Sequence, residues 1–539
     1  MLRAIVALLL FAAPAAAQRD IPPGSLNKAE RLEWYRDLGF GLFIHWSVDS
    51  QTGVVISHSL VGADDAYINR FFGDLPKTFN PRKFDPQDWA ALAKLAGIRY
   101  VVFTTKHHSG FAMWDTKTTD FGIMHTPFRR DIAREILQAF TAQGIRPGIY
   151  FSPDDFHWLW QNHVELQRNI PAVQPRNNPG LMKLDLDQVR ELMTNYGPID
   201  VVFFDGEPEQ LRDLAWKLQP DTVVTRGAIQ TPELNVPGVP PEGPWEANFT
   251  MGTAWQYQPQ NETYKTGGQI IDLLVETRAK GGNLLLNVGP KPDGELPIEQ
   301  EERLREIALW MQVNQEAIYG VRPWVITNEQ NVWFTKARSE DTVYAIVKQE
   351  PRWVRGQWRD LVLKSVAPTA GTQVSVLGQN GRVLEYRPDV NPAPSFREAA
   401  DGLHIHAMFT QRLQDNSRWP NPIVLKIAHV TPRFTPPRVE TVGARFDPAT
   451  KSATLEGVLR DMGKAASLEV GFQYRSIVGL DASDRSIPWQ QGPSAALSAP
   501  GPFSLRLDSL NPDGVYEYRA WVRHPLLTIF GAEKRLAMR

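Results

Sequence analysis

The chain has 539 residues, with 58 basic and 60 acidic side chains and a formal net charge of −2. That balance supplies no electrostatic reason to expect nucleic acid or an anionic membrane surface as a partner. Apolar residues make up 42% and charged residues 22%, which excludes a mostly disordered chain. The absence of cysteine excludes disulfides, thiol catalysis, zinc-thiolate sites and iron–sulfur clusters.

The N-terminus reads Met1-Leu2-Arg3, then an apolar run over 4–11, then Ala15-Ala16-Ala17 before Gln18. One early positive charge, a short apolar core and small residues at the end predict a cleavable export signal over 1–17. The run is too short for a membrane span, so the mature protein is expected outside the cytoplasm, periplasmic or secreted, and not in a membrane.

From about 30 to 320 the chain alternates apolar strand-like runs with amphipathic helix-like runs. Strands are predicted at 40–46, 100–105, 148–152, 201–205, 222–226 and 283–288, with a weak one at 245–246. Helices are predicted at 86–96, 131–140, 186–194, 210–218, 268–279 and 298–313. Apolar strands in alternation with helices predict a parallel sheet buried on both faces. The length and number of units favour a (β/α)8-like barrel over 25–322 rather than an open doubly wound sheet. There is no GxGxxG turn or GxxxxGK[ST] loop, which argues against nucleotide binding. Short strand-like runs follow, predicting one all-β sandwich over 323–430. A Pro-rich hinge at 431–437 leads to a fibronectin type III-like sandwich over 438–539, where Leu510-Asn511-Pro512 and Tyr516 form the expected tyrosine corner. The expected class is therefore α/β, a barrel followed by two β-sandwiches.

Barrel active sites lie at the C-terminal ends of the strands. His45 and Trp46 close the first strand, and His107-His108 the second. Tyr150 to Asp155 closes the third and Asp205-Gly206-Glu207 the fourth. Arg226 ends the fifth and Asn287 the last. Asp205 stands out because a carboxylate follows four apolar residues and Gly206 lets the chain turn away at once. An ionised carboxylate there suits attack on a sugar anomeric carbon. Such a reaction needs a second carboxyl of raised pKa to protonate the leaving oxygen. Glu246, beside Trp245 and ahead of an apolar segment, is the favoured candidate; Glu207, Asp155 and Glu242 remain alternatives. No metal is expected: neighbouring residues on an extended strand, such as His107 and His108, point to opposite faces and serve one site only if the strand has ended there, and His404-Ile405-His406 lies far off in the β region.

With these residues in view, the chain resembles glycoside hydrolase family 29, the retaining α-L-fucosidases. The matching pieces are Gly39-Phe40-Gly41-Leu42-Phe43-Ile44-His45-Trp46, Phe79-Asn80-Pro81, Lys106-His107-His108-Ser109-Gly110-Phe111, Gly148-Ile149-Tyr150-Phe151-Ser152, 200–206 and 281–290, in order along 28–325. The resemblance implies a barrel with a β-sandwich behind it, exo-acting release of L-fucose from fucosylated oligosaccharides or glycoconjugates through a covalent glycosyl-enzyme, and no metal or cofactor. It implies Asp205 as nucleophile and Glu246 as acid/base. It implies His45, Trp46, His107, His108, Tyr150 and Trp255 as sugar contacts. The chain departs from the family at Ser47, at Ser109 and at Ile56-Ser57-His58-Ser59, which replaces a Glu-Trp segment; His58 is the expected substitute contact. Two other expectations compete: a glycosidase for a related sugar such as α-L-galactose, and a non-catalytic glycan-binding protein.

Overall fold

The computed structural model describes residues 24–168, 170–260, 262–384, 386–410, 413, 420–477, 488–512, 514–524 and 527–536. The expected export signal over 1–17 lies outside them.

Seven parallel strands form the first sheet: β1 (Phe40–Ile44), β2 (Tyr100–Lys106), β3 (Gly148–Phe151), β4 (Val201–Phe204), β5 (Val223–Val224), β6 (Glu246–Thr250) and β7 (Asn283–Val288), in the order β5-β4-β3-β2-β1-β7-β6. Its edges, β5 and β6, are joined by an irregular segment over 225–234. There Gln230 and Glu233 bridge in parallel to Trp245 and Asn248. This segment stands where an eighth regular strand would close a (β/α)8 barrel.

The helices are α1 (Ala29–Leu38), α2 (Asp65–Thr78), α3 (Pro86–Leu95), α4 (Ile132–Ala142), α5 (Phe156–Gln161), α6 (Pro179–Asn195), α7 (Glu209–Leu218), α8 (Gly267–Ala279) and α9 (Ile298–Asn314). Several of their starts are legible in the chain. Asp85 accepts the Gln87 and Asp88 N–H groups at 3.0 and 3.1 Å ahead of Pro86, and Thr266 with Gln269 makes a capping box on α8. Helices α1, α2 and α5 were not expected from periodicity. Of these, α1 seals the N-terminal end of the barrel: the Asn283 amide donates to the Tyr35 carbonyl at 2.7 Å and Arg278 donates to that of Arg36 at 2.9 Å.

Side chains alternate across the sheet with period two. Phe43, Tyr100, Val102, Tyr150, Val201, Phe203 and Leu285 fill the barrel interior. Leu42, Ile44, Val101, Phe103, Phe151, Val202, Phe204, Leu284 and Leu286 pack outward in the larger core with the helices. The same alternation corrects one sequence expectation. His45 shares the inward parity of Phe43, so Trp46 points outward. Its ring is fully buried against Phe79, Phe84 and Trp89, at centroid distances of 5.9, 5.5 and 5.4 Å. Trp46 is a core residue and not a sugar contact.

Beyond the barrel, β8 (Val321–Glu329), β9 (Val332–Ala337), β10 (Thr342–Val347), β11 (Trp358–Leu363), β12 (Val366–Val376), β13 (Ser395–Ala399), β14 (Gly402–Met408) and β15 (Ile423–Pro432) form a five-stranded and a three-stranded antiparallel sheet over one core. The Trp310 indole on α9 donates to the Pro422 carbonyl at 2.9 Å and ties this sandwich to the barrel. The strands β16 (Arg438–Asp447), β17 (Ser452–Asp461), β18 (Leu468–Ile477), β19 (Gln490–Leu497), β20 (Gly501–Leu507), β21 (Val515–His524), β22 (Leu527–Phe530) and β23 (Lys534–Leu536) form two further sheets over a separate core. There the Tyr516 phenol oxygen accepts the Asn511 N–H at 3.0 Å. Among the described residues, no helix is long and apolar enough to cross a membrane.

Truncating Trp46 to Ala should cost roughly 3–5 kcal/mol through the cavity left behind. Thermal melts should show a lowered midpoint for Trp46→Ala and a largely restored one for Trp46→Phe; an unshifted Trp46→Ala midpoint would contradict the core placement.

Candidate active site

The inward parity that places Phe203 in the barrel also turns Asp205 to the mouth, one residue past β4. Gly206, with φ +154°, turns the chain aside, and a Cβ there would lie 2.7 Å from Pro153 Cγ. Two donors hold the carboxylate, and an imidazole nitrogen stands at the edge of reach. The Tyr150 hydroxyl donates to Asp205 Oδ2 at 2.8 Å, Arg226 Nη1 donates to Oδ1 at 2.9 Å, and His108 Nε2 lies 3.5 Å from Oδ2. Burial alone would raise the pKa of Asp205, but His108, Arg226 and His107 outweigh it and hold the carboxyl well below its ordinary value. A carboxylate this enclosed stays ionised, hence nucleophilic. Tyr150, by contrast, is pushed up first by burial and then by the Asp205 charge, so its hydroxyl remains a donor.

The imidazoles are set by their second nitrogens. Asn287 donates its Nδ2 to the Trp255 carbonyl, at 2.5 Å, which orients its Oδ1 at 2.6 Å from His45 Nδ1. His45 therefore carries its proton on Nδ1 and presents Nε2 as an acceptor. His107 Nδ1 accepts the His108 backbone N–H at 2.9 Å, so its Nε2 carries the proton and donates. Burial first, and then neighbouring charge, lowers the pKa of His107 well below normal; burial takes that of His45 to about 3. Both rings are neutral near neutral pH. The His107 ring stacks on Tyr150 at 5.1 Å and 9°, while Trp255 lies 5.0 Å from His45 across the mouth. One acceptor, several donors and an indole wall around a carboxylate make a pocket that can read a polyol.

His107, His108 and Asp205 offer atoms within 4.8 Å of one another. The proton on His107 Nε2 turns a hydrogen-bond donor, not a lone pair, to that space, which disfavours a cation there. His58 stands exposed, close enough for the charges of Arg168 and His108 to act on it.

Glu246 does not belong to this constellation, and the expectation that it supplies the acid is corrected. It opens β6, pairs with Asn283, the first residue of β7, and is fully buried. Its Oε2 accepts from Tyr35, on the sealing helix, and from Tyr100, the first residue of β2, at 2.6 Å for the latter. It faces inward as its parity demands, but at the N-terminal side of the strands, with no route to a substrate. The alternatives fare little better. Asp155 is buried as the cap of α5, Glu207 is paired with Arg176, and Glu242 lies in the loop before β6.

The residue that sequence reasoning missed is Glu233. Arg226 Nη2 donates to Glu233 Oε2 at 3.2 Å while Nη1 holds Asp205, so one guanidinium carries both carboxylates. Their oxygens are thus no further apart than two hydrogen bonds and one guanidinium, roughly 8 Å at most, a bound that admits the spacings of both retaining and inverting carboxylate pairs. Glu233 is also the more open of the two, with 45% of its side chain exposed against 22% for Asp205. It lies in the irregular closing segment, where no strand or helix period marks it.

Glu246 has its own consequence. Burial raises its pKa to about 7 against the hydrogen bonds from Tyr100 and Tyr35. A folded-state pKa above the unfolded one gives stability that is fully present below about pH 4.5 and lost as pH rises through about 7, worth roughly 3 kcal/mol. Urea titrations of Glu246→Gln should show this slope abolished over that window with turnover within a few-fold of the parent; a collapse of turnover would return Glu246 to the chemistry.

A family model described as Alpha-L-fucosidase matches residues 9–316. The α-L-fucosidase of Branchiostoma floridae is 30% identical over 418 residues, covering 69% of this chain and 90% of that protein. Among solved structures, α-L-fucosidase isoenzyme 1 from Paenibacillus thiaminolyticus superposes with a TM-score of 0.60 at 26% identity, over 74% of this chain and 98% of that one. The Thermotoga maritima α-fucosidase in complex with a mechanism-based inhibitor gives 0.58 at 26% identity, over 74% and 96%. The sequence match, the barrel with its β-sheets behind it and the carboxylate-centred pocket agree: this chain belongs to the α-L-fucosidase family of glycoside hydrolases, family 29.

Proposed function

We propose that this enzyme releases α-L-fucose from the ends of fucosylated oligosaccharides or glycoconjugates by double displacement, with Asp205 as nucleophile and Glu233 as acid/base. The observation that carries the residue assignment is the single guanidinium of Arg226, which holds both carboxylates at the mouth. In the first half, a carboxylate oxygen of Asp205 attacks the anomeric carbon while the Glu233 carboxyl gives its proton to the departing glycosidic oxygen. A glycosyl ester forms on Asp205 and the aglycone leaves. In the second half, the Glu233 carboxylate takes a proton from water, whose oxygen displaces Asp205, and the sugar leaves with its configuration retained. The mechanism-based inhibitor bound to the Thermotoga maritima relative supports such a route.

His45 Nε2 suits a sugar hydroxyl as donor, and His107 Nε2–H suits one as acceptor. Trp255 offers an apolar face for the edge of the ring. Arg226 does two things at once: it stabilises the Asp205 carboxylate and fixes its distance from Glu233. We also propose that residues 1–17 direct export and are removed, supported by their charge and apolar pattern.

Asp205→Ala should lower kcat by on the order of 10⁴-fold with the fold intact. Glu233→Ala, assayed on an activated aryl α-L-fucoside, should recover turnover with azide and yield α-L-fucosyl azide. Rescue confined to a Glu207 variant would move the acid there. Proton NMR of the nascent sugar should show the α anomer first; the β anomer first would end the double-displacement reading. An aryl α-L-galactoside turned over faster than the fucoside would reassign the sugar. Intact-mass analysis of the secreted protein should find Gln18 at the N-terminus.

A further inference from the structure

The end of β2 holds a buried ionic cluster that the chemistry above leaves unused. Lys106 is fully buried; its ammonium donates to Asp185 Oδ1 at 2.7 Å and to Asp155 Oδ2 at 3.4 Å, and lies 4.4 Å from the centre of the Phe151 ring. Asp185 is fully buried on α6. Asp155 caps α5, its Oδ1 accepting the Trp158 N–H at 2.8 Å.

Such a cluster is a poor source of stability. Removing an ammonium and two carboxylates from water costs several kcal/mol, and well-packed apolar side chains often do as well or better. Its geometry points to another use. The β2–β3 register shifts between Thr104 and Lys106. A bulge of this kind changes which face successive side chains address. Lys106 reaches out toward α6, and His107 then turns in to stack on Tyr150. The turn that follows is pressed on the same carboxylate. Gly110 has φ +87°, and a Cβ there would lie 2.1 Å from Asp155 Oδ1. The His108 and Ser109 carbonyls accept the Phe156 and His157 N–H groups at 2.8 and 3.2 Å.

We propose that Lys106 is a positioning residue: clamped between Asp185 and Asp155, it sets the backbone at the end of β2 so that His107 and His108 address the sugar and Asp205. The functional part of this assignment rests on Asp205 as nucleophile; the structural part does not. Asp185 is the rigid anchor, being on a long helix, and Asp155 transmits the position to the turn.

The test uses Lys106→Met combined with Asp185→Asn, because Lys106→Met alone strands two buried carboxylates and should destabilise the fold. Three quantities are read: the thermal midpoint, kcat and KM on an aryl α-L-fucoside, and the tautomers of ¹⁵N-labelled histidine by NMR. The double variant should melt within a few degrees of the parent. It should lose about 10- to 100-fold in kcat, with KM changed less than about threefold, as loss of an orienting partner does. The His107 Nε2–H tautomer signal should broaden or mix with the Nδ1–H form. Should the double variant not fold, Asp185→Asn alone, which keeps the ammonium but weakens its anchor, reads the same kcat and tautomer changes. Parent kcat with unshifted histidine signals in whichever variant folds would show that Lys106 only balances charge and would overturn the proposal. If Asp205→Ala keeps its activity while the histidine signals still shift with Lys106, the nucleophile assignment fails and the positioning role stands.

Discussion

The site turns on one constraint: a carboxylate enclosed by protein must stay charged. Burial works against the ionised form of Asp205, and nothing in its own strand relieves it. The relief comes from the ends of two other strands, His108 and His107 past β2 and Arg226 past β5, while the Tyr150 hydroxyl of β3 adds a hydrogen bond. Only a closed or nearly closed parallel sheet brings the C-terminal ends of such strands to one point. The barrel is therefore the device that keeps this acid ionised, and the rest of the pocket is arranged around its charge. Neutral imidazoles fit that arrangement. His45 and His107 are buried deeply enough to stay unprotonated, so they add no cation that would compete with Arg226.

Arg226 also explains how two carboxylates can sit close together. Two like charges separated by several ångströms in a partly dry mouth repel strongly. A shared guanidinium offsets that repulsion and, being planar and forked, sets geometry as well as charge. It stands at the edge of β5, where the regular sheet stops and the irregular segment over 225–234 closes the barrel. The fold is least regular where the second carboxylate has to project into the mouth. The same economy shows at the end of β2, where a register shift sends Lys106 outward and His107 inward.

Among the described residues, no hydrogen bond or ion pair runs from the β-sheets behind the barrel to Asp205 or Glu233. Tyr344, Ile346 and Val424 of the first sandwich belong to the barrel's own outer core, and the Thr335 hydroxyl donates to the Ala317 carbonyl at 2.8 Å. This sandwich is thus built onto the flank of α8 and α9, whereas the last strands fold over a core of their own.

Much of the order of strands and helices was legible in the chain because most strands are short apolar runs and α3, α4 and α8 each open on a capping side chain. The runs predicted at 201–205 and 283–288 lie on β4 and β7, and the carboxylate after the first of these is the one at the mouth. Parity was legible too: once Phe43 is inside, His45 is inside and Trp46 is not. Sequence could not decide which end of a strand a residue occupies when the strand itself is weakly marked. Glu246 read as a strand end because Trp245-Glu246 was the visible part of β6, whereas it is the first residue of a strand running on to Thr250. Nor could it find Glu233, whose segment follows no period because it pairs through isolated bridges. Local propensity and periodicity act over a few residues and so determined the elements; distance between residues far apart in the chain depends on how the sheet closes, and only the folded barrel set Asp205, Arg226 and Glu233 side by side.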